Sequence, residues 1–307
     1  MGSTASISTF AARMMPFWAI LRHDLRSLLG SWLVRLWLAG TVLLSLLLTM
    51  SNWAHFQTAP LIASLLFPYL VFPWFLVVMV LGVSPVSGSR AEALADGILS
   101  RPITRYEYLL ATWAARVAVV VVPYLIVMIA FISVVSTVER PTVPEDTVTL
   151  YGITAALGVV GLVLVFQVSL AFLAGTVLRT PLLALVVLLA VWYPVNGVLD
   201  AFRLEEFSPI TLSRTIPTLL RQPWREVEGS APDEASDVEM EALARQAQSF
   251  LSVLAGGQPQ RPVEVKPNFF DRDEFKDFSL TRVVLGYGIP TLAAIGLAML
   301  CFCVRDL

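Results

Sequence analysis

Between Ser84 and Val117 the chain reads SPVSGSRAEALADGILSRPITRYEYLLATWAARV, and the charges in this stretch are spaced to meet charges on another macromolecule. Glu92 and Asp96 stand at i, i+4, which puts both carboxylates on one face of a short helix predicted over 90–99. Ser100, Arg101 and Pro102 break that helix, because proline disfavours helical geometry at the residue before it. Arg101 and Arg105 then flank the turn. Thr104 followed by Glu107 predicts a capping box that starts a second helix. Two acids on one face and two guanidinium groups around a fixed turn are equipment for ion pairing, with basic groups of a partner meeting the acids and acidic ones the arginines. The competing reading has the same charges facing only water or phospholipid headgroups.

Bond-making chemistry finds little support. The histidines are His23 and His55, on opposite predicted sides of the membrane, so no pair can chelate a metal. Cys301 and Cys303 end an apolar run, and their spacing to Met50 or His55 suits neither copper nor a disulfide framework. Arg35 and Arg116 fall near span ends, where a long side chain reaches the interface at low cost. Gln167 and Asn196 are intramembrane polar groups expected to make interhelical hydrogen bonds. A catalytic, cofactor or metal site is therefore not expected in this chain.

The elements that position the charged loop follow from composition. Apolar residues make up 57% of 307 positions and charged residues 14%, with mean hydropathy +0.75. Ordinary globular chains carry roughly 25% charge, so this one has too little polar surface for a water-soluble fold. The net charge of −2 gives no support for nucleic-acid binding. Six stretches approach the roughly 20 apolar residues needed to cross a bilayer: Leu33–Asn52, Leu61–Val83, Trp113–Ser136, Tyr151–Leu178, Leu182–Leu199 and Val283–Val304. Arginines crowd one set of short segments (Arg13, Arg22, Arg26, Arg90, Arg101, Arg105, Arg179 and Arg305), whereas the other short loops hold only Arg140. That bias places both termini in the cytoplasm. A cleaved signal peptide is rejected, because the apolar run after Ser31 is too long and no small-residue cleavage site follows it.

The expected fold class is thus an all-α membrane protein of six transmembrane helices. Residues 1–16 read as a tail. Residues 17–30 read as an interfacial amphipathic helix with Pro16 at its first position, Phe17, Leu21, Leu25 and Leu28 turned to lipid, and Arg22, His23 and Arg26 off that stripe. Residues 31–199 hold spans 1–5 with the cytoplasmic loop 84–112, residues 200–281 form a partly helical extracytoplasmic segment, and 282–307 hold span 6 and a cytoplasmic end. Within the outer segment, ITLSRTIPTLLRQPW after Ser208-Pro209 suits a helix lying along or dipping into the outer leaflet, and a soluble helix follows Pro232.

The run Glu92, then Asp96-Gly97-Ile98-Leu99-Ser100-Arg101-Pro102-Ile103-Thr104-Arg105-Tyr106-Glu107, closely resembles the segment after the second span of ABC-2 type exporter permeases. The N-terminal amphipathic helix and the six-span order match too, with the branch that includes nitrous-oxide-reductase maturation permeases most similar; Ala93-Leu94 depart from the usual Gly-Thr. The resemblance implies a non-catalytic transmembrane subunit. Its loop would dock into a separate P-loop ABC ATPase that holds ATP and Mg, and a second permease subunit, identical or homologous, would complete a dimer in the bacterial inner membrane. Glu92, Asp96, Ser100, Arg101, Pro102, Arg105 and Glu107 become the expected ATPase-coupling residues. Leu254-Ala255-Gly256-Gly257-Gln258 resembles the signature motif of the ATPases themselves, but the chain has no Gly-Lys pair to cradle phosphates, and these glycines close a predicted helix instead of opening one.

The alternative from another class is a membrane-embedded scaffold or assembly factor that binds a periplasmic client through residues 200–281. Charge separates that module from the rest. It holds fifteen acidic and nine basic residues, a net −6, while the remainder holds twelve basic and eight acidic, a net +4.

Overall fold

The computed structural model describes residues 3–91, 104–138, 148–178, 180–201, 207–221 and 279–304, and every element among them is helical. In chain order they are α1 (Ser3–Gly30), α2 (Trp32–Asn52), α3 (Thr58–Leu70), α4 (Trp74–Ala91), α5 (Arg105–Thr137), α6 (Leu150–Val177), α7 (Pro181–Ala201), α8 (Pro209–Arg221) and α9 (Leu280–Val304). Six spans are long and apolar enough to cross a membrane, matching the expected all-α, six-span class. The second of them, Thr58–Val83, is made of two helices. Pro73 has no N–H to continue the ladder, so α3 ends at Leu70 and the chain restarts at Trp74 after a cis Phe72–Pro73 bond.

α6 forms the centre. Buried positions run from Gly152 to Thr176 around its circumference, as expected of a helix apolar on every side. α4 lies beside it at backbone contact: a Cβ on Gly82 would meet that of Ala171, and one on Gly175 would fall 2.5 Å from the Val83 carbonyl oxygen. Ala171 and Gly175 are thus a small-residue ridge that lets two helices approach closely, a source of association in lipid where hydrophobic driving force is weak. α2 is built the other way out from a soluble helix. Trp37, Thr41, Ser45 and Thr49 recur every fourth residue on its buried face, while Leu36, Leu43, Leu47 and Met50 point outward. One of its two inward threonines, Thr49, donates to the Ser45 carbonyl at 2.7 Å, so the helix satisfies that hydroxyl itself.

Two expectations are corrected here. The first helix starts at Ser3, with Pro16 inside it, so residues 3–16 are not a tail and Pro16 does not open the helix. Ala11, Ala12, Arg13, Met14 and Met15, just before Pro16, are all good helix formers. The stripe of Phe17, Leu21, Leu25 and Leu28 is half-buried, with Leu25 and Leu28 packed on the protein core, and α1 lies along α5. That face therefore meets protein, and Arg22, His23 and Arg26 remain exposed as expected.

α8 is the second correction. Its Thr211, Leu212, Ser213, Thr215, Ile216, Leu219 and Leu220 are all buried, among α3, α6 and α7. It is inserted among other helices, so of the two expected arrangements, lying along the outer leaflet or dipping into it, the first is overturned. The Thr211, Ser213 and Thr215 hydroxyls each donate to a carbonyl three residues back, at 3.0, 2.6 and 2.9 Å, so burial leaves none of them unsatisfied.

Candidate functional site

The charged loop is carried between the ends of α4 and α5. Glu92, Asp96, Ser100, Arg101 and Pro102 lie outside the described residues, as do the signature-like Leu254–Gln258 and the predicted soluble helix. What is described is how the two flanks are held. On the α5 side the expected capping box is present: the Glu107 N–H donates to Thr104 Oγ1 at 3.3 Å, and the Thr104 N–H donates to Glu107 Oε2 at 3.2 Å. Glu107 therefore serves as a helix start. Arg105 opens the helix on its backbone. From that cap α5 continues for 33 residues to Thr137, so the second loop helix and the third span are one element.

Below the cap, Tyr108 and Leu109 pack with Phe172 of α6 and with Ala298 and Phe302 of α9, joined by Ile20 of α1. The Tyr108 and Phe302 rings stack with centroids 6.5 Å apart. One turn further, Trp113 Nε1 donates to Ser169 Oγ of α6 at 3.0 Å. Next comes Arg116, only 6% exposed, with Nη1 donating to the Leu81 carbonyl of α4 at 2.8 Å. Asp24, on the inward stripe of α1, acts on it electrostatically. Arg116 thus does not snorkel as expected; it is a buried cation used between helices. Arg35 does behave as a surface group, exposed and donating from Nε to the Leu29 carbonyl at the end of α1.

The opposite end of the bundle is sewn up around α8. The Thr149 N–H, at the start of α6, donates to the Leu220 carbonyl at 3.0 Å, and a Cβ on Gly152 would run into the Leu220 backbone. Arg221 Nη2 donates to Gln57 Oε1 at 3.2 Å. Ser208 donates to Asn196 Oδ1 at 3.2 Å, and Tyr287 donates to the Phe207 carbonyl at 2.9 Å. Asn196 is therefore the interhelical hydrogen-bonding group it was expected to be. Gln167 is not: fully buried on α6, neither polar atom of its side chain has a hydrogen-bond partner among the described residues.

Sequence reasoning missed that Asp24 lies where its charge acts on the buried Arg116. The signal was available, because Asp24 lies seven residues after Phe17 and four before Leu28, on the apolar stripe. An acid on an apolar face calls for a basic partner opposite. An apolar groove of about 500 Å³ lies between the ends of α6 and α9, lined by Thr176, Val177, Leu300, Cys301 and Val304. Its Thr176 hydroxyl is engaged by the Leu173 carbonyl at 2.7 Å. Among the described residues no group of three or more His, Cys, Asp or Glu side chains is placed to hold a metal ion.

Comparison with known proteins finds no match among curated sequences. The family described as "ABC-2 family transporter protein" matches residues 96–307, which begins inside the charged loop and covers more than half of the chain. Six spans, an all-helical fold and that match converge: the chain belongs to the ABC-2 transporter family and is a permease subunit of an ABC transporter.

Proposed function

We propose that this permease belongs to an exporter driven by a separate P-loop ATPase, and that the loop 84–112 is where the ATPase engages it. The observation that carries the proposal is the unbroken course of α5 from the Thr104 cap to Thr137. At 1.5 Å per residue such a helix is about 50 Å long, against roughly 30 Å of hydrocarbon. A push at its capped end therefore has one continuous helix to travel along, in which Pro123 is a point where the backbone ladder loses a hydrogen bond. Glu92 and Asp96 would meet basic groups of the ATPase, and Arg101 and Arg105 acidic ones. Glu107 contributes by fixing where α5 begins.

In this reading both termini are cytoplasmic, the membrane is the bacterial inner membrane, and a second permease subunit, identical or homologous, completes the pathway. ATP and Mg bind on the ATPase, since this chain lacks a phosphate-cradling Gly-Lys sequence. The helix α8, wedged at the far end of α3, α6 and α7, shapes the exit. Residues 200–281 would be extracytoplasmic. The test is purification of the protein expressed with its genetic neighbours. A P-loop ATPase should co-purify and should be lost in Glu92→Ala/Arg101→Ala. Retention of a periplasmic protein through residues 200–281, with no ATPase, would favour the scaffold reading instead.

A further inference from the structure

The first 91 residues hold five arginines and a single acid, Asp24. That acid is half-buried on the inward stripe of α1, where its charge acts on Arg116. Arg22 and Arg26 stand two positions either side of it, which in an α-helix is the opposite face. With Trp18 and Leu29 they form one exposed stripe at i, i+4, i+8 and i+11. Only Ser31 separates α1 from α2, and Arg35 of α2 reaches back to the end of that stripe, its Nε donating to the Leu29 carbonyl at 3.4 Å. Three guanidinium groups therefore stand along one exposed line, bounded by Trp18, 63% exposed, and Trp32, 77% exposed. We infer that Arg22, Arg26 and Arg35, between Trp18 and Trp32, form a binding site for the headgroup of an anionic phospholipid.

Position and chemistry both point to lipid. α2 is the first span, so the joint at Ser31 lies where hydrocarbon gives way to headgroups, the layer in which indole rings are enriched. The apolar stripe of α1 is already taken, with Leu25 and Leu28 packed on the protein core. What the helix offers the bilayer is its arginine face, the reverse of the arrangement expected from the hydropathy pattern. A phosphodiester accepts two parallel N–H bonds from a guanidinium fork, and the exposed Leu29 and Trp18 give the glycerol and upper acyl carbons an apolar surface. An acidic protein surface would match the charges alone. Lipid matches the charges, the indoles and the place at the mouth of a span. The site stands apart from the coupling role proposed for the loop 84–112, and neither depends on the other.

The test titrates the full-length chain in neutral detergent with phosphatidylglycerol and, separately, with phosphatidylcholine, and reads bound lipid by native mass spectrometry. At about fivefold per arginine, the first phosphatidylglycerol should bind about 100-fold tighter than phosphatidylcholine. Arg22→Gln/Arg26→Gln should cut that preference about 25-fold, and Arg35→Gln alone about fivefold. Arg22→Lys/Arg26→Lys keeps the charge without the fork and should lose only about threefold. These side chains are exposed, so the variants should keep wild-type thermal unfolding; should the double variant fail to fold, Arg35→Gln carries the test. Arg179→Gln/Arg305→Gln removes the same charge elsewhere on the same predicted side and should leave the preference within about twofold of the wild type. No preference in the wild type, or an equal loss in that control, overturns the site. So does displacement of the lipid by an equal concentration of soluble glycerophosphoglycerol, which would mark a site for free anions. A double variant that keeps its lipid preference but loses a co-purifying protein would overturn it too, marking the face as a protein-docking surface.

Discussion

The two ends of this bundle are held together by different means. Around α8, mostly neutral groups do the joining: backbone meets backbone at Gly152 and Leu220, and hydroxyl, amide and carbonyl groups pair at Ser208–Asn196, Tyr287–Phe207 and Thr149–Leu220, with the Arg221 guanidinium on Gln57 beside them. Under the charged loop, α4 and α5 are joined by the buried Arg116 cation on the Leu81 carbonyl, supported by the Trp113–Ser169 bond and an aromatic cluster. Many small neutral contacts resist movement in every direction. A single charged pin resists separation but lets the joined pair swing as a unit. The contrast suits a machine that is pushed at one end and braced at the other.

Four substitutions would break or sharpen that contrast, and they are given in order of expected effect. The prediction for Gly152→Val is the largest, because its Cβ has no room against the Leu220 backbone. Overpacking of this kind costs about 3 kcal/mol, so thermal unfolding in detergent should drop sharply and α8 should become open to protease. Arg116→Leu should cost about 2 kcal/mol, the loss of a charge-assisted bond to a buried carbonyl, with protection lost in α4 while α8 stays intact. Thr104→Ala removes the capping box and should cost about 1 kcal/mol, seen as faster amide exchange confined to the first turn of α5. Asn196→Ala should cost only about 0.6 kcal/mol, the average for a hydrogen bond between membrane helices. An Asn196 effect larger than that of Arg116 would reverse the proposed division between a braced end and a pinned one.

Gln167→Leu tests the same contrast from the other side. A buried carboxamide without partners is a cost, so this change should raise stability by about 1 kcal/mol. No gain would mean that the amide is satisfied in the membrane.

The sequence displayed its spans clearly, because uninterrupted apolar runs of bilayer length need no tertiary information. Tyr151–Leu178 anticipated α6 (Leu150–Val177) to within a residue at each end, and the Thr104–Glu107 cap was read correctly from spacing alone. The misreadings share a physical origin. Thr211, Ser213 and Thr215 look polar in a hydropathy pattern, so α8 read as a helix lying along or dipping into the outer leaflet, without close packing against other helices. Each of those hydroxyls bonds its own helix backbone, and most of the helix can then be buried, leaving Ile210, Arg214, Thr218 and Arg221 as its half-buried stripe. Arg116 looked like a span-end arginine free to reach the interface. Its partner carbonyl, Leu81, is 35 residues away on another helix, a relation no local window contains. The break at Val71–Pro73 was marked by Pro73, but hydropathy alone reads straight through it.

The central claim is that the ATPase works on the loop end and leaves the α8 end alone, and photo-crosslinking reads this directly. A photoreactive residue is placed at Ile103 in one variant and at Val148 in another, each in the complex expressed with its genetic neighbours. An ATPase adduct is expected from Ile103 and none from Val148. An ATPase adduct from Val148, or none from Ile103 when the ATPase is bound, would contradict it.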